Sequence, residues 1–128
     1  MDLQQRTAAL KARLDAKPGV TTVAGAPPRS SVPNTLRYKV MEKMFAILSL
    51  RGAEWVILKC DEHLVDVLKE QYAGVGHRSH LDRRHWICVT LDADVPPAEI
   101  ERLADHSYDL VCKELTRKQQ AQLRGETA

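Results

Sequence analysis

The residues best suited to chemistry in this chain are concentrated between His77 and Leu91. The segment reads HRSHLDRRHWICVTL and passes from a polar run into an apolar strand that begins at Trp86. Imidazole can ligate a metal or donate a hydrogen bond near neutral pH. His77, His80 and His85 match a zinc ligand set only loosely, because paired cysteines and an HExxH pattern are lacking. We therefore expect no metal and no cofactor, and assign His80 to loop order or ligand contact.

Cationic side chains in this segment, and on the strands before it, could hold a nucleic-acid backbone. Each phosphate that a cation neutralises releases counterions, and the planar fork of arginine suits phosphate oxygens. The nucleic-acid-binding candidates are Arg37, Lys39, Lys43, Arg78, His80, Arg83 and Arg84. The first three fall on consecutive predicted strands, so one face or edge of the sheet is expected to be basic. A solvated loop that binds nothing is the alternative for the arginine-rich segment.

A ligand pocket lined by Lys59, His80 and Trp86 is a further hypothesis. Lys59 ends an apolar strand, where its ammonium could meet a ligand or pair with an acid on a neighbouring helix. Trp86 and Trp55 could stack on nucleic-acid bases. Each tryptophan lies in an apolar strand, so packing in the core is the alternative for both.

Motifs for covalent catalysis are missing from the sequence. There is no GxSxG elbow and no glycine loop of the GxGxxG or GxxxxGK kind. Ser107 falls in a predicted helix, where its hydroxyl is expected to bond back to the preceding turn. The Tyr108 hydroxyl is expected at the rim of the core. We expect no catalytic residues and a protein that is not an enzyme.

Length and composition indicate an ordinary globular domain. The chain has 128 residues and a net charge of +2, and we expect a single domain spanning residues 1–128. No apolar run approaches the roughly 20 residues of a membrane helix, and no secretory leader is recognised. The three cysteines are unpaired in pattern, so reduced thiols and a cytoplasmic location are expected. Residues 1–53 carry nine Lys/Arg against three acids, whereas residues 92–110 carry six acids against one arginine. This uneven charge distribution fits either an oriented electrostatic binding surface or an ordinary dipolar protein.

Hydrophobic periodicity and breakers predict an α+β fold in the order α-β-β-β-α-(loop or short strand)-β-α. An antiparallel sheet is expected, with the helices packed on one side. A short strand around Val20 to Ala24 is a further option. The predicted helices are Leu3 to Lys17, Glu62 to Tyr72 with Asp61 as its N-cap, and about Pro97 to Leu123, and the predicted strands are Leu36 to Val40, Lys43 to Leu48, Glu54 to Lys59 and Trp86 to Leu91. The tail from about 119 to 128 is expected to fray.

Several short motifs in this order resemble the MmcQ/YjbR-like family. Tyr38-Lys39-Val40 with Lys43-Met44-Phe45-Ala46 is similar to its KMFA segment, and Leu58-Lys59-Cys60-Asp61 to its lKcd motif. His80 to Ile87 resembles its hlnkrhWi motif, Ser107 to Val111 its SYdLV motif, and Pro18-Gly19-Val20 its lPGv motif. The resemblance covers about residues 3 to 118. It implies an α+β fold of the CyaY-like group, related to type III secretion chaperones, and DNA binding through a double-wing arrangement of hairpins.

Two places depart from that family pattern. A glycine pair usually precedes KMFA, but this chain has Met41-Glu42, so its turn is expected to use another geometry. Thr21-Thr22 replaces an acidic residue after the first helix. Roles tied to those two places are not carried over.

Three hypotheses of function remain open at this point. The first is a DNA-binding protein that grips the phosphate backbone, with double-stranded DNA as its partner, using the basic hairpin and loop. The second is a protein-interaction or chaperone-like domain, a monomer or homodimer, that binds a partner through a sheet edge or helix. The third is a small-ligand protein or enzyme that uses the pocket of Lys59, His80 and Trp86. None of the three involves a membrane.

Overall fold

The computed structural model describes residues 3–26, 29, 34–50, 54–77 and 81–123. It confirms the predicted α+β class. The elements in chain order are α1 Leu3–Asp15, β1 Val20–Gly25, β2 Thr35–Val40, β3 Lys43–Ser49, β4 Trp55–Lys59, α2 Glu62–Gln71, β5 Val75–Gly76, β6 Trp86–Thr90, α3 Pro97–Lys113 and α4 Arg117–Leu123. Among the described residues, no helix is both long and apolar enough to cross a membrane.

All six strands pair into one antiparallel sheet in the order β1-β2-β3-β4-β6-β5. The central meander of β2, β3 and β4 follows from their short connections, as expected. The optional strand near Val20 exists as the edge strand β1, and the optional element after α2 is the two-residue strand β5. Alternation along each strand then divides the sheet into two faces.

The helices cover one of these faces and build the main core with it. Core side chains from the helices include Leu14, Val65, Leu103 and Val111, and from the sheet Tyr38, Leu48, Leu58 and Val89, each almost fully buried. We call the opposite side of the sheet, on which none of the described helices packs, the open face. Ile57 on β4 and Cys88 on β6 point to it; both are buried, yet neither belongs to the main core cluster.

Helix α2 begins where the sequence predicts. The Asp61 carboxylate accepts a hydrogen bond from the backbone N–H of His63 at 2.8 Å, which satisfies one of the free donors of the first turn. Val65 and Leu68 bury one side of this helix, whereas Leu64 and Val67 remain 40% and 52% exposed. The helix therefore has an apolar surface that the described residues leave uncovered.

The single C-terminal helix that the sequence predicts is in fact two helices. Helix α3 ends at Lys113, and α4 starts a new turn at Arg117. Thr116 and Gln119 form a capping box, because the Gln119 amide N–H donates to the Thr116 hydroxyl at 3.1 Å and the Thr116 N–H donates to the Gln119 side chain at 3.0 Å. Residues 119–123 are helical instead of frayed, since Leu123 packs against the core.

The turn between β2 and β3 also differs from expectation. Val40 pairs with Lys43, so Met41 and Glu42 form a two-residue hairpin loop, and both have positive φ, 48° and 69°. The expected change of geometry is therefore wrong. A two-residue loop must match the right-handed twist of its strands, and this demands left-handed backbone at both positions even without glycine.

Candidate nucleic-acid interface

Ser107 joins three separate elements at one end of the sheet. A β-bulge in β3 leaves Phe45 outside the regular register between β2 and β3. The Ser107 hydroxyl donates to the Phe45 carbonyl at 2.5 Å and accepts from the Lys59 backbone N–H at 2.8 Å. The expectation that this hydroxyl would bond to its own helix is wrong. The Phe45 carbonyl and the Lys59 N–H lie beyond the paired residues of β3 and β4, and the hydroxyl bonds to both of them instead. Ser107 is thus a structural bridge, fully buried, and is not placed as a nucleophile.

Tyr108 anchors the next position of the same helix. Its hydroxyl donates to the Pro18 carbonyl at 2.6 Å, and its ring meets Phe45 edge-to-face with 5.3 Å between centroids. The Tyr108 side chain therefore reaches from the core to its rim, as predicted. Burial raises the pKa of this phenol, so it remains a neutral donor.

Lys59 forms an ion pair with Glu114, the residue that follows α3, so the ion-pair alternative is the one the structure shows. Lys43 also approaches Glu114, with 3.9 Å between its Nζ and the carboxylate. The pairing of Lys43 with Val40 puts Lys43 on the helix side of the sheet, apart from Arg37 and Lys39. The structure thus separates Lys43 from the two cations with which the sequence grouped it.

His85 is held between two carboxylates at the start of β6. Its Nδ1 lies 3.0 Å from the Asp82 carboxylate, and its Nε2 lies 4.0 Å from that of Glu62. The pKa of Asp82 falls to about 2, first because the backbone N–H of Arg84 donates to it and then because His85 does. The His85 carbonyl accepts from the Cys60 N–H at 2.7 Å, so this segment is tied to the end of β4.

Two of the three residues of the hypothesised ligand pocket, Lys59 and Trp86, fall within the described residues. A shallow cleft at the start of α2 includes Lys59, but Trp86 does not line it, and His80 lies outside the described residues. The cleft is lined by Lys59, Cys60, Asp61, Glu62, His63, His85, Leu110 and Glu114. The Cys60 thiol there is buried, and burial raises its pKa to about 11, which leaves it protonated and unreactive at neutral pH.

The open face carries two cross-strand rows that concern function. Pairing aligns Arg37 on β2 with Ile47, Ile57 and Cys88 on the following strands. One step nearer the end of the sheet, Lys39 pairs with Met44 on β3, and Lys59 pairs with Trp86 between β4 and β6. Cations and a partly exposed indole therefore share one face of the sheet.

Trp55 occupies the same face further along β4. It pairs with Thr90, four positions from Lys59, which places it roughly 13 Å along the strand from the Trp86 level. Both tryptophans are partly exposed, and neither belongs to the main core. The alternative of packing in that core is not what the structure shows for either ring, because odd-numbered positions of β4 and even-numbered positions of β6 point away from the helices.

The arginines of the basic segment lie at the Trp86 end of the sheet. Arg83 and Arg84 are exposed in the turn directly before β6. Arg84 lies 3.4 Å from Asp82 while keeping 72% of its side chain exposed, so that contact does not enclose its guanidinium. Arg78 and His80 lie outside the described residues. Among the described residues, no group of three or more His, Cys, Asp and Glu side chains could hold a metal ion.

Sequence reasoning missed residues whose contacts are long-range. Arg13 on α1 and Lys17 just after it both bind the Asp105 carboxylate of α3. Part of the positive charge of the N-terminal half is therefore balanced within the protein. The heptad-like spacing of α1 gave no sign of that partner. Charge complementarity between residues 1–53 and 92–110 was the available signal.

Comparison with known proteins agrees with this architecture. The family model described as YjbR matches residues 15–110. The uncharacterized protein YjbR of Escherichia coli K12 is 34% identical over 71 residues, which span 55% of this chain and 60% of that protein. The uncharacterized protein YbdF of Escherichia coli O157:H7 is 27% identical over 88 residues, 68% of this chain and 72% of the relative. The alignment thus covers less than two thirds of the E. coli YjbR sequence.

Solved structures share the fold. A crystal structure of a Deinococcus radiodurans protein with a DUF419 domain superposes with a TM-score of 0.76 at 27% identity, covering 94% of this chain and 91% of that one. A Pseudomonas syringae protein gives a TM-score of 0.62 at 23% identity, over 86% and 98% of the two chains, and supports the fold alone. With the family model matched over most of its length, the chain belongs to the YjbR family.

Proposed function

We propose that this protein is a non-enzymatic DNA-binding domain that grips the phosphate backbone with Arg37, Lys39, Arg83 and Arg84. One observation carries the proposal. Two cations lie on the open face of the sheet, and two exposed arginines precede β6 at the end of that face where Lys39 and Trp86 lie. Phosphate binding needs several cations spread along a surface, and this arrangement supplies them without a helix in the way.

The charges around Glu114 argue for a narrower contact surface than the sequence suggests. Lys43 and Lys59 both face that carboxylate, so part of their charge is already balanced. We therefore leave Lys43 out of the primary contact set. A cytoplasmic location belongs to the proposal and is compatible with three free cysteines.

Four reactive groups among the described residues support a binding role over catalysis. The Ser107 hydroxyl is engaged on both sides, and the Lys59 ammonium is paired. Burial raises the pKa of both Cys60 and Cys112. A nucleophile needs the opposite shift or an adjacent base.

A salt titration with labelled duplex DNA tests the proposal. The logarithm of the association constant should fall linearly with the logarithm of salt concentration, with a slope of about −0.9 per phosphate contacted. The double variant Arg83→Gln/Arg84→Gln should flatten that slope by about 1 to 2. The matched control Lys11→Gln/Arg102→Gln removes the same charge from helix positions that are already ion-paired, and should leave the slope unchanged. Absence of binding to both duplex and single-stranded DNA at low salt, or equal slopes for both double variants, would contradict the proposal.

A protein-interaction role is the second candidate, supported by the uncovered side of α2. Leu64 and Val67 lie three residues apart on that helix and are 40% and 52% exposed. Val23 on the edge strand β1 is 49% exposed. If the α2 surface pairs with a second copy of the chain, Leu64→Lys/Val67→Lys should convert a dimer to a monomer in sedimentation experiments.

A further inference from the structure

Trp86 on the open face differs from an ordinary core tryptophan in its surroundings. It starts β6, pairs with Lys59 and lies on the same face as Lys39 and Arg37. It is partly exposed and lies outside the cluster that the helices bury. A partly exposed indole in that position offers part of its ring to a ligand, on the same face as the cations of β2.

Of the apolar residues in the row next to this ring, Ile57 and Cys88 are almost fully buried and Ile47 is partly exposed. Ile57 and Cys88 are 4% and 6% exposed, and Ile47 pairs with Ile57 on the neighbouring strand. Trp55 adds a second indole roughly 13 Å further along β4. The open face therefore presents two partly exposed indoles and Ile47, with the cations of β2 at one side. From β2 to β6 there are three strand spacings, or about 14 Å.

The chemistry of this face selects among forms of nucleic acid. In a duplex the base faces are stacked on each other, so a protein reaches only phosphates and base edges. An exposed indole face gains most from an unstacked base, and such stacking is insensitive to base sequence. A sheet that presents aromatic rings beside cations thus suits a single strand, whose phosphates the cations can follow while its bases meet the rings.

We propose that the open face binds single-stranded DNA, with a base stacked on the Trp86 indole while Arg37 and Lys39 contact phosphates. This inference rests on the proposed DNA-binding function and gives it a substrate form. Phosphate contacts do not distinguish paired from unpaired bases, whereas stacking on the indole requires a base that is unpaired. Arg83 and Arg84, three and two residues before Trp86, extend the phosphate path beyond the ring.

The test compares four probes of equal length in fluorescence anisotropy. They are a single-stranded DNA 12-mer of mixed sequence, the same strand made abasic throughout, the duplex, and the RNA of the same sequence. The DNA 12-mer should bind at least about ten-fold more tightly than the abasic strand, since each base stacked on an aromatic ring strengthens binding by roughly 5- to 150-fold. Trp86→Leu should reduce DNA affinity to that of the abasic strand and leave abasic binding unchanged.

A second measurement keeps Trp86 intact. The chain has two tryptophans, so Trp55→Phe leaves Trp86 as the sole indole emitter. Its fluorescence should be quenched on adding the DNA 12-mer, and not on adding the abasic strand. This readout stands even if Trp86→Leu fails to fold.

The outcomes separate the two levels of the proposal. Equal affinity for the DNA 12-mer and the abasic strand, or an unquenched Trp86, overturns the stacking inference while phosphate binding stands. Duplex affinity equal to that of the single strand, or RNA bound about ten-fold more tightly than DNA, overturns the choice of ligand. No binding of any probe at low salt overturns both the inference and the DNA-binding function.

Discussion

The hydroxyl of Ser107 gives the sharpest stability prediction. Replacement by alanine removes the donor to the buried Phe45 carbonyl and the acceptor for the Lys59 N–H. A buried polar group left unsatisfied costs about 1–3 kcal/mol. The carbonyl sits among fully buried side chains, so we assign it about 2 kcal/mol, and the partly buried amide about 1 kcal/mol. Ser107→Ala should therefore lower the free energy of unfolding by about 3 kcal/mol, a large part of the 5–15 kcal/mol typical of a domain.

Urea denaturation followed by circular dichroism measures this loss. With a denaturant dependence of about 2 kcal/mol per molar, the unfolding midpoint should fall by about 1.5 M. Thr116→Ala is the matched control, because it also deletes a hydroxyl that bonds backbone, but at an exposed helix cap, where the cost is about 1 kcal/mol.

Hydrogen exchange adds a local readout to the same variant. The Lys59 amide should lose protection in Ser107→Ala more than the Ile57 amide, which lies within the paired part of β4. A loss below about 1 kcal/mol together with unchanged protection at Lys59 would refute the bridging role, because both strand groups would then have other partners.

Two further predictions follow from backbone and charge. Glu42→Gly should raise the free energy of unfolding, measured by urea denaturation, by about 0.5–1 kcal/mol. Glu42 is exposed with φ 69°, and left-handed backbone costs a non-glycine residue about 1–2 kcal/mol, part of which the added flexibility of glycine offsets. A lower stability of the variant would contradict the strained turn. The pKa of Asp105 falls to about 2, mainly because Arg13 donates to it, so the carboxylate stabilises the fold fully above the unfolded pKa near 4 and ceases to do so as pH falls to about 2. Asp105→Asn should lower the free energy of unfolding by about 1 kcal/mol at pH 7, less than the full pKa shift would give because Arg13 is 43% exposed. In melts at different pH values, the stability difference between variant and wild type should vanish near pH 2. A pH-independent difference would show that the ion pair is not its cause.

Local signals explain why so much of the fold could be predicted. Asp61 before an apolar-periodic segment fixes the start of α2, and the polar-apolar alternation around Tyr38 identifies β2. These features are decided within a few residues of sequence. The capping box of Thr116 and Gln119 is an equally local signal for the start of α4, but the prediction of one continuous helix to Leu123 overlooked it.

Other features depend on partners far along the chain, and local reasoning could not reach them. The acceptor of the Ser107 hydroxyl is 62 residues away, and the usual preference of a helical serine for its own helix pointed elsewhere. Met41 and Glu42 lack glycine, so their left-handed backbone is imposed by the pairing of β2 with β3. In the site, the grouping of Lys43 with Arg37 and Lys39 failed because the two-residue turn puts Lys43 opposite Val40, on the helix side.

Some residues of the family motifs stabilise the fold, whereas others have exposed side chains that do not. This difference bears on function. Phe45, Lys59 and Ser107 come from three of those motifs and meet in one hydrogen-bonded junction, so their side chains and backbone groups serve the fold. A further motif, from His80 to Ile87, gives the frame its Ile87 side chain, the His85 carbonyl and the pairing of β6. The exposed side chains of Arg83 and Arg84 and the ring of Trp86 lie outside the main core, so the burial that stabilises the domain does not account for them. Packing does not explain the exposed arginine pair and the partly exposed indole, so a bound ligand is the explanation that we propose for them. The abasic strand tests this directly, because it keeps every phosphate and removes every base.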